Sequence, residues 1–359
     1  MASIDSSYDF FRDAHSKRLD ITNSYLALGD VPDLVGVSVQ NEEKIIQAVR
    51  RLLEQDGGGI SKVSDLAEPY QEPARELYQS DQIAAVDGTD AISALRFVSD
   101  TLYAAGVVAV TPRSRHQPRA RVTRTRASSY ASMQDFSKSW DENIRNWGTY
   151  LRGARENEIS WVSTFREYEE RELAYEWLQE DSRHVALIDG PVLTQNLLSQ
   201  VTARDLLERI LVNGRAIGFI KEISANPLLV AIGCALEPGE VFVLAHWSNL
   251  LSERFSSGQE AIASWINDRA SRVVRAIYKL NRKAYGIECV RDLVPLALAI
   301  LGQDPGGSAE HDIPMLLQIA DLHVRSHFNG ASAREEVLAR HSLRDPDRFL
   351  ELTYERDLR

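Results

Sequence analysis

Two short stretches, "AAVDG" at 84–88 and "ALIDG" at 186–190, constrain this chain more than any other feature. In each, an apolar run (Ile83 to Val86, Val185 to Ile188) reads as a strand with no polar face. Each run then ends on a carboxylate, Asp87 or Asp189, followed by glycine. Burying a carboxylate at a sheet's edge is costly unless it meets hydrogen-bond donors, a basic side chain or a metal ion. Glycine after the acid allows a tight turn and lets a ligand approach the backbone. One Asp-Gly is also an ordinary turn dipeptide. Two of them, each closing an apolar strand, point to a site.

The rest of the chain supplies helices between strands. Residues 1 to about 55 read as mainly helical, with Ile45, Ile46, Val49, Leu52 and Leu53 at helical spacing and "DGGG" as a stop. A polar helical piece covers about 62 to 79. "LYAAGVVAVTP" and "AIGFIKEIS" read as strands, as do "EVFVLAHW" and the alternating "RVVRAIYKL". Helices are expected over "NEISWVSTFREYEERELAYEWLQED" and "TARDLLERILVNG", the latter with Thr202 as N-cap and Gly214 as stop. Further helices fall near 260–268 and 292–302, over "IPMLLQIADLHVRSHF" after a proline start, and from about 331 onward. This order predicts an α/β fold with a mixed β-sheet flanked by helices. Residues 1–60 read as a helical N-terminal extension, a possible contact for a partner, and 61–359 as a single domain.

Charge is unevenly spread. The net charge of −11 argues against a nucleic-acid coat protein, which needs a basic surface. Yet "RSRHQPRARVTRTR", residues 113–126, carries six arginines (Arg113, Arg115, Arg119, Arg121, Arg124 and Arg126) and no acid. It reads as a strand-loop-strand excursion. It is either a solvated hairpin or a basic arm suited to a polyphosphate. No run of about 18 apolar residues exists, so no membrane span is expected. The first twenty residues lack the apolar core of a signal peptide, which predicts a cytoplasmic protein. Cys234 and Cys289 have no CxxC spacing and are expected to be reduced, inert core thiols.

The helix before Asp189 is rich in glutamate: Glu167, Glu169, Glu170, Glu172 and Glu176. Most are expected on a wet face. Glu172 shares a side with Phe165, Tyr168 and Tyr175, where a carboxylate needs a partner. Asp87, Glu172 and Asp189 are therefore expected to converge. Three such groups repel one another unless a divalent cation neutralises them, and Mg²⁺ or Mn²⁺ suits hard oxygen donors. Two ions so held would serve phosphodiester cleavage.

Four stretches in order, "IAAVDGTD", "RELAYEW" followed by "ALIDGPVLTQNLL", "AIGFIKEI" and "IPMLLQIADLHV", resemble the NurA nucleases, partners of the hexameric DNA-translocating ATPase HerA. The resemblance spans roughly residues 80 to 330. It implies an RNase H-like fold, a homodimer docked on the ATPase, and DNA cleavage with Mn²⁺ or Mg²⁺ as a 5′-to-3′ exonuclease with single-strand endonuclease activity. The implied setting is end resection or defence against foreign DNA. It further implies Asp87, Glu172 and Asp189 as catalytic metal ligands and Lys221 as a phosphate contact. Near the C-terminus, Asp321 stands where many members place histidine, and His323 follows two residues on as an alternative fourth ligand. Thr89 stands where serine is common. The departure at Asp321 keeps a rival reading open: an adaptor for the ATPase that binds DNA without cutting it. In the plainest reading, the acids are only turns and caps of an α/β protein.

Overall fold

The computed structural model describes residues 31–55, 59–96, 100–128, 147–223, 227–255, 259–303 and 313–328. The strands are β1 (Ile60–Lys62), β2 (Ile83–Arg96), β3 (Asp100–Val110), β4 (Arg119–Ser128), β5 (Val185–Asp189), β6 (Ala216–Ile220), β7 (Glu240–Leu244), β8 (Val273–Lys279) and β9 (Ala284–Val290). The helices are α1 (Val31–Gln55), α2 (Val63–Ala67), α3 (Gln71–Gln79), α4 (Trp147–Glu180), α5 (Gln195–Leu198), α6 (Val201–Asn213), α7 (Pro227–Ala235), α8 (Trp247–Glu253), α9 (Glu260–Arg269), α10 (Val294–Gln303) and α11 (Met315–His327).

All nine strands form one mixed sheet in the order β1-β7-β8-β9-β6-β5-β2-β3-β4. Strands β2, β3 and β4 make an antiparallel meander, and β5 and β6 then run parallel to β2. This is the RNase H-like arrangement. The long helix α4 is the crossover that a parallel β2–β5 pair requires. Alternation along each strand divides the core between two faces. Ala84, Val86, Ala186 and Ile188 pack under Leu173, Ala174, Trp177 and Leu178 of α4. Ala85, Val185, Leu187 and Phe219 pack under α10 and α11 on the opposite face. Both faces are covered, which is why these strands carry no polar stripe.

Several expectations are corrected. Asp87 and Gly88 do not end β2. The strand runs on to Arg96, because β3 pairs with it from Ala85↔Val110 to Arg96↔Thr101. The N-cap of α6 is Gln200, so Thr202 lies inside the helix, whereas Gly214 does stop it in the left-handed region at φ 71°. Strand β9 and helix α7 are additional to the expected elements; in β9 the acid Glu288 interrupts the apolar run. Cys234 is exposed rather than in the core, and Cys289 is buried; both are free. Of the N-terminal segment, the described part is α1. It is tied to the body through Leu53 in the core and Arg50, which donates to Glu240 (2.9 Å) and the Ala235 carbonyl (2.8 Å). Residues 1–30 and the tail beyond 328 lie outside the described residues. No helix among those described is long and apolar enough to cross a membrane.

Glu288 fixes the loop that follows β5. Its carboxylate is fully buried and accepts from Arg275 Nη2 (2.6 Å), Trp247 Nε1 (2.9 Å) and the backbone amide of Leu193 (2.8 Å). The Arg275 guanidinium also lies 3.7 Å over the Trp247 ring. Removing the acid leaves a buried guanidinium uncompensated, a loss of about 3–5 kcal/mol. Glu288→Ala is therefore expected to lower the unfolding free energy in urea by that amount. A loss under about 1 kcal/mol, the size of an exposed pair, would show that Arg275 and Leu193 have other partners.

Candidate active site

The site begins with strand register. The parallel pairing of β2 and β5 runs Ile83↔Val185 through Val86↔Ile188, so the next residues of the two strands are Asp87 and Asp189. Neighbouring strands lie about 4.8 Å apart, and both aspartates follow the alternation of Ala85 and Leu187 onto the α11 face. On β6, Phe219 pairs with Asp189, and Lys221 two residues on shares its side. Its Nζ donates to Asp189 Oδ2 at 2.8 Å. Asp87 is 4% exposed, and its Oδ1 accepts from the amide of Gly88 at 2.7 Å. In this way Asp87 within β2, Asp189 at the end of β5 and Lys221 just past β6 are gathered across three adjacent strands.

The helix acid at this place is Glu170, not Glu172. Glu170 extends the stripe of Leu173, Ala174 and Trp177, at intervals of three, four and seven residues, and is 3% exposed. Its side chain crosses Gly88 so closely that a Cβ there would lie 2.8 Å from Glu170 Oε1. Gly88 is thus required by close approach rather than by a turn. Glu172 faces the other way and accepts from Arg121 Nη2 at 3.4 Å. Of the three acids expected to converge, Asp87 and Asp189 do, and Glu172 does not line the hollow they form. Its aromatic companions Phe165, Tyr168 and Tyr175 are only half-buried.

Asp87, Glu170, Asp189 and Lys221 line one cavity of about 360 Å³, together with Arg166, Glu167, Arg171, Gly190, Pro191 and Thr194. Its floor is the turn after β5. Gly190 adopts φ 87°, and the turn lies so close to β6 that a Cβ on Gly218 would meet the Gly190 carbonyl at 2.6 Å. Thr194 caps α5 and donates to Glu167 Oε2 at 2.5 Å. A second hollow, of about 470 Å³, lies between α4 and α6 around Tyr175, Glu208 and Arg209, and neither Asp87 nor Asp189 lines it.

The remaining expected residues are placed as follows. Asp321, on α11, bonds Arg325 Nε at 2.9 Å and acts on Asp87 through its charge. His323 Nε2 is 2.7 Å from the Arg115 carbonyl, so it ties α11 to the turn between β3 and β4. Arg113 holds the Gln79 carbonyl (3.1 Å). Arg119 pairs with Glu180 at 2.5 Å, and Arg121 with Glu169, Glu172 and Glu176 at 3.4, 3.4 and 2.7 Å. The basic strand therefore lies on the acidic flank of α4. The side chains of Arg124 and Arg126 lie outside the described residues.

The donors available to a cation are carboxylate oxygens, a set that suits Mg²⁺ or Mn²⁺. The counter-charge now comes from Lys221 at Asp189 and from Arg171, whose Nη1 bonds Glu170 Oε2. Among the described residues no three His, Cys, Asp or Glu side chains already stand close enough together to hold an ion. The donor chemistry fits a divalent ion, and the acids need counter-charge.

No protein-family model matches the sequence, and no curated protein matches it. Among solved structures, one of NurA has 12% identity and TM-score 0.45, covering 85% of this chain and 99% of that one. The NurA nuclease from Sulfolobus solfataricus has 10% identity and TM-score 0.42, covering 79% and 93%. A structure of NurA with manganese has 11% identity and TM-score 0.42, covering 77% and 94%.

Burial pushes Asp87 up to about 6, and the charge of Asp189 adds to it against the opposing pull of Lys221. Burial pushes Glu170 up to about 7 against the pull of Arg171 and Arg166. A carboxyl raised in the folded state stabilises it fully below the unfolded value, and that contribution is lost as pH rises through the folded one. Without added metal, stability is thus expected to fall between pH 4 and pH 7. Asp87→Asn removes its share, on the order of 2–3 kcal/mol at ~1.4 kcal/mol per unit. Thermal unfolding should show the variant more stable than the parent at pH 8 and equal to it near pH 4. Equal stability at both would mean that Asp87 is not strained by its surroundings.

Proposed function

We propose that this chain is a divalent-cation-dependent nuclease that hydrolyses the phosphodiesters of DNA. The observation that carries this reading is that Asp87, Asp189 and Glu170, from two parallel strands and the crossover helix, line one cavity beside Lys221. Asp87, Glu170 and Asp189 would hold the ion or ions. A cation bound there supplies charge to the transferring phosphate and lowers the pKa of water.

The chain's own groups do the rest. Lys221 Nζ, released from Asp189, is placed to meet a phosphate oxygen, and Arg166 lines the same cavity. Oε1 of Glu170, the oxygen that Arg171 does not bond and that lies 3.7 Å from Arg166 Nε, is the one left to a cation. Asp321 adds negative charge near Asp87. The arginines of residues 113–126 guide the strand. Exposed pairs such as Arg119–Glu180 are worth only about 0–1 kcal/mol, so a polyanion competes for them readily. The partner is a hexameric HerA-type ATPase engaged by a homodimer. The resemblance of four ordered stretches of this sequence to the NurA nucleases supports this part of the reading, including end resection or defence as its setting.

One observation favours the second reading, an adaptor that does not cut: the acids are paired internally, with no three gathered for an ion among the described residues. Labelled single-stranded DNA with Mn²⁺, with and without EDTA, separates the two. The parent is expected to cut only with the metal. Asp87→Asn and Glu170→Gln are each expected to lose at least about 100-fold in rate, the top of the range for losing a supporting contact, while remaining folded. Glu172→Gln should stay within about threefold, as for an exposed pair worth under 1 kcal/mol. Cleavage that survives Glu170→Gln but not Glu172→Gln would reverse the assignment of the helix acid.

A further inference from the structure

We infer that Arg171 is a positioning residue that holds the Glu170 carboxylate and the turn behind Asp189 in one frame. This rests on the nuclease reading above. The Arg171 guanidinium is 1% exposed, deep inside α4. Its Nη1 donates to Glu170 Oε2 and, at 3.4 Å, to the Glu167 carbonyl; its Nη2 donates to the Pro191 carbonyl at 2.6 Å. Pro191 is two residues past Asp189, in a turn that Gly218 admits closely and that Glu288 anchors at the Leu193 amide. The two acids come from elements with no covalent reason to keep their spacing. Arg171 is the side chain that bonds both sides. A buried arginine is expensive to keep, and packing alone would be served by an apolar residue. What a guanidinium adds is a planar fork that fixes two acceptors in direction at once, which the single ammonium of lysine does not.

The test uses the full chain with Arg171→Lys, in the parental and the Glu170→Gln backgrounds. Thermal unfolding checks the fold. Mn²⁺ affinity is read without DNA from the free-ion electron paramagnetic resonance signal, and kcat and KM are read on labelled single-stranded DNA. In the parental background the lysine variant is expected to fold, keep KM and lose about 10–100-fold in both Mn²⁺ affinity and kcat, the cost of removing a group that orients a ligand. In the Glu170→Gln background the same change should cost clearly less, because only the hold on the turn behind Asp189 remains to be lost. Parental Mn²⁺ affinity and kcat in a folded lysine variant would overturn the inference. So would equal losses in both backgrounds, or a chain that no longer folds, since either makes Arg171 a matter of stability alone. A parent that binds Mn²⁺ yet cuts no DNA overturns the nuclease reading and leaves Arg171 to be decided by affinity. A parent that binds no Mn²⁺ overturns both.

Discussion

In the parallel pair of β2 and β5, Val86 stands beside Ile188, and the next residue of each strand is an aspartate. Backbone hydrogen bonding sets that spacing, so the two carboxyls cannot drift apart without breaking the ladder. Much of the surrounding structure answers their mutual repulsion. Lys221 comes from the next strand, the Gly88 amide bonds Asp87, and the turn at Gly190 leaves space in front of both. The third acid arrives from the opposite face of the sheet, over a residue with no side chain to block it.

The deepest charges are arranged in pairs that also fasten loops. Glu288 binds Arg275 and the Leu193 amide; Arg171 binds Glu170 and the Pro191 carbonyl; Glu167 binds Thr194. Two elements, α4 and β9, thus hold the segment 191–194 through three charged side chains, whose hydrogen bonds are stronger than neutral ones. A loop so restrained can present Asp189 in a fixed place. The outer charges behave differently. Arg119 and Arg121 lie against glutamates of α4 at half-exposed positions, where water and salt weaken each contact. The acidic balance of the chain and its basic segment are therefore neighbours rather than opposites.

The buried strands were legible because their apolar runs are continuous, and Asp189 was legible because a charge closes such a run. The arginine-rich segment, expected as strand-loop-strand, is a turn over 112–118 followed by the single strand β4, which Val122 and the threonines signal; Gly214 was legible from its place after a helical period. The helix acid expected from the sequence differs from the one that lines the cavity because α4 carries apolar groups on more than one side. The aromatics near Glu172 suggested burial, whereas the small and aliphatic residues Leu173, Ala174 and Leu178 face the sheet. Spacing to Ala174 and Trp177 would have selected Glu170. The continuation of β2 past Gly88 was not legible, since it depends on pairing with β3, and β9 was hidden by a buried glutamate whose partners are distant in sequence.

The most direct test of the account is anomalous diffraction from crystals soaked in Mn²⁺. A peak lying between the carboxylates of Asp87 and Asp189, within reach of Glu170 and with Lys221 displaced from Asp189, is the predicted result. No peak at a saturating concentration, or one at Glu172 and the flank of α4 instead, would contradict it.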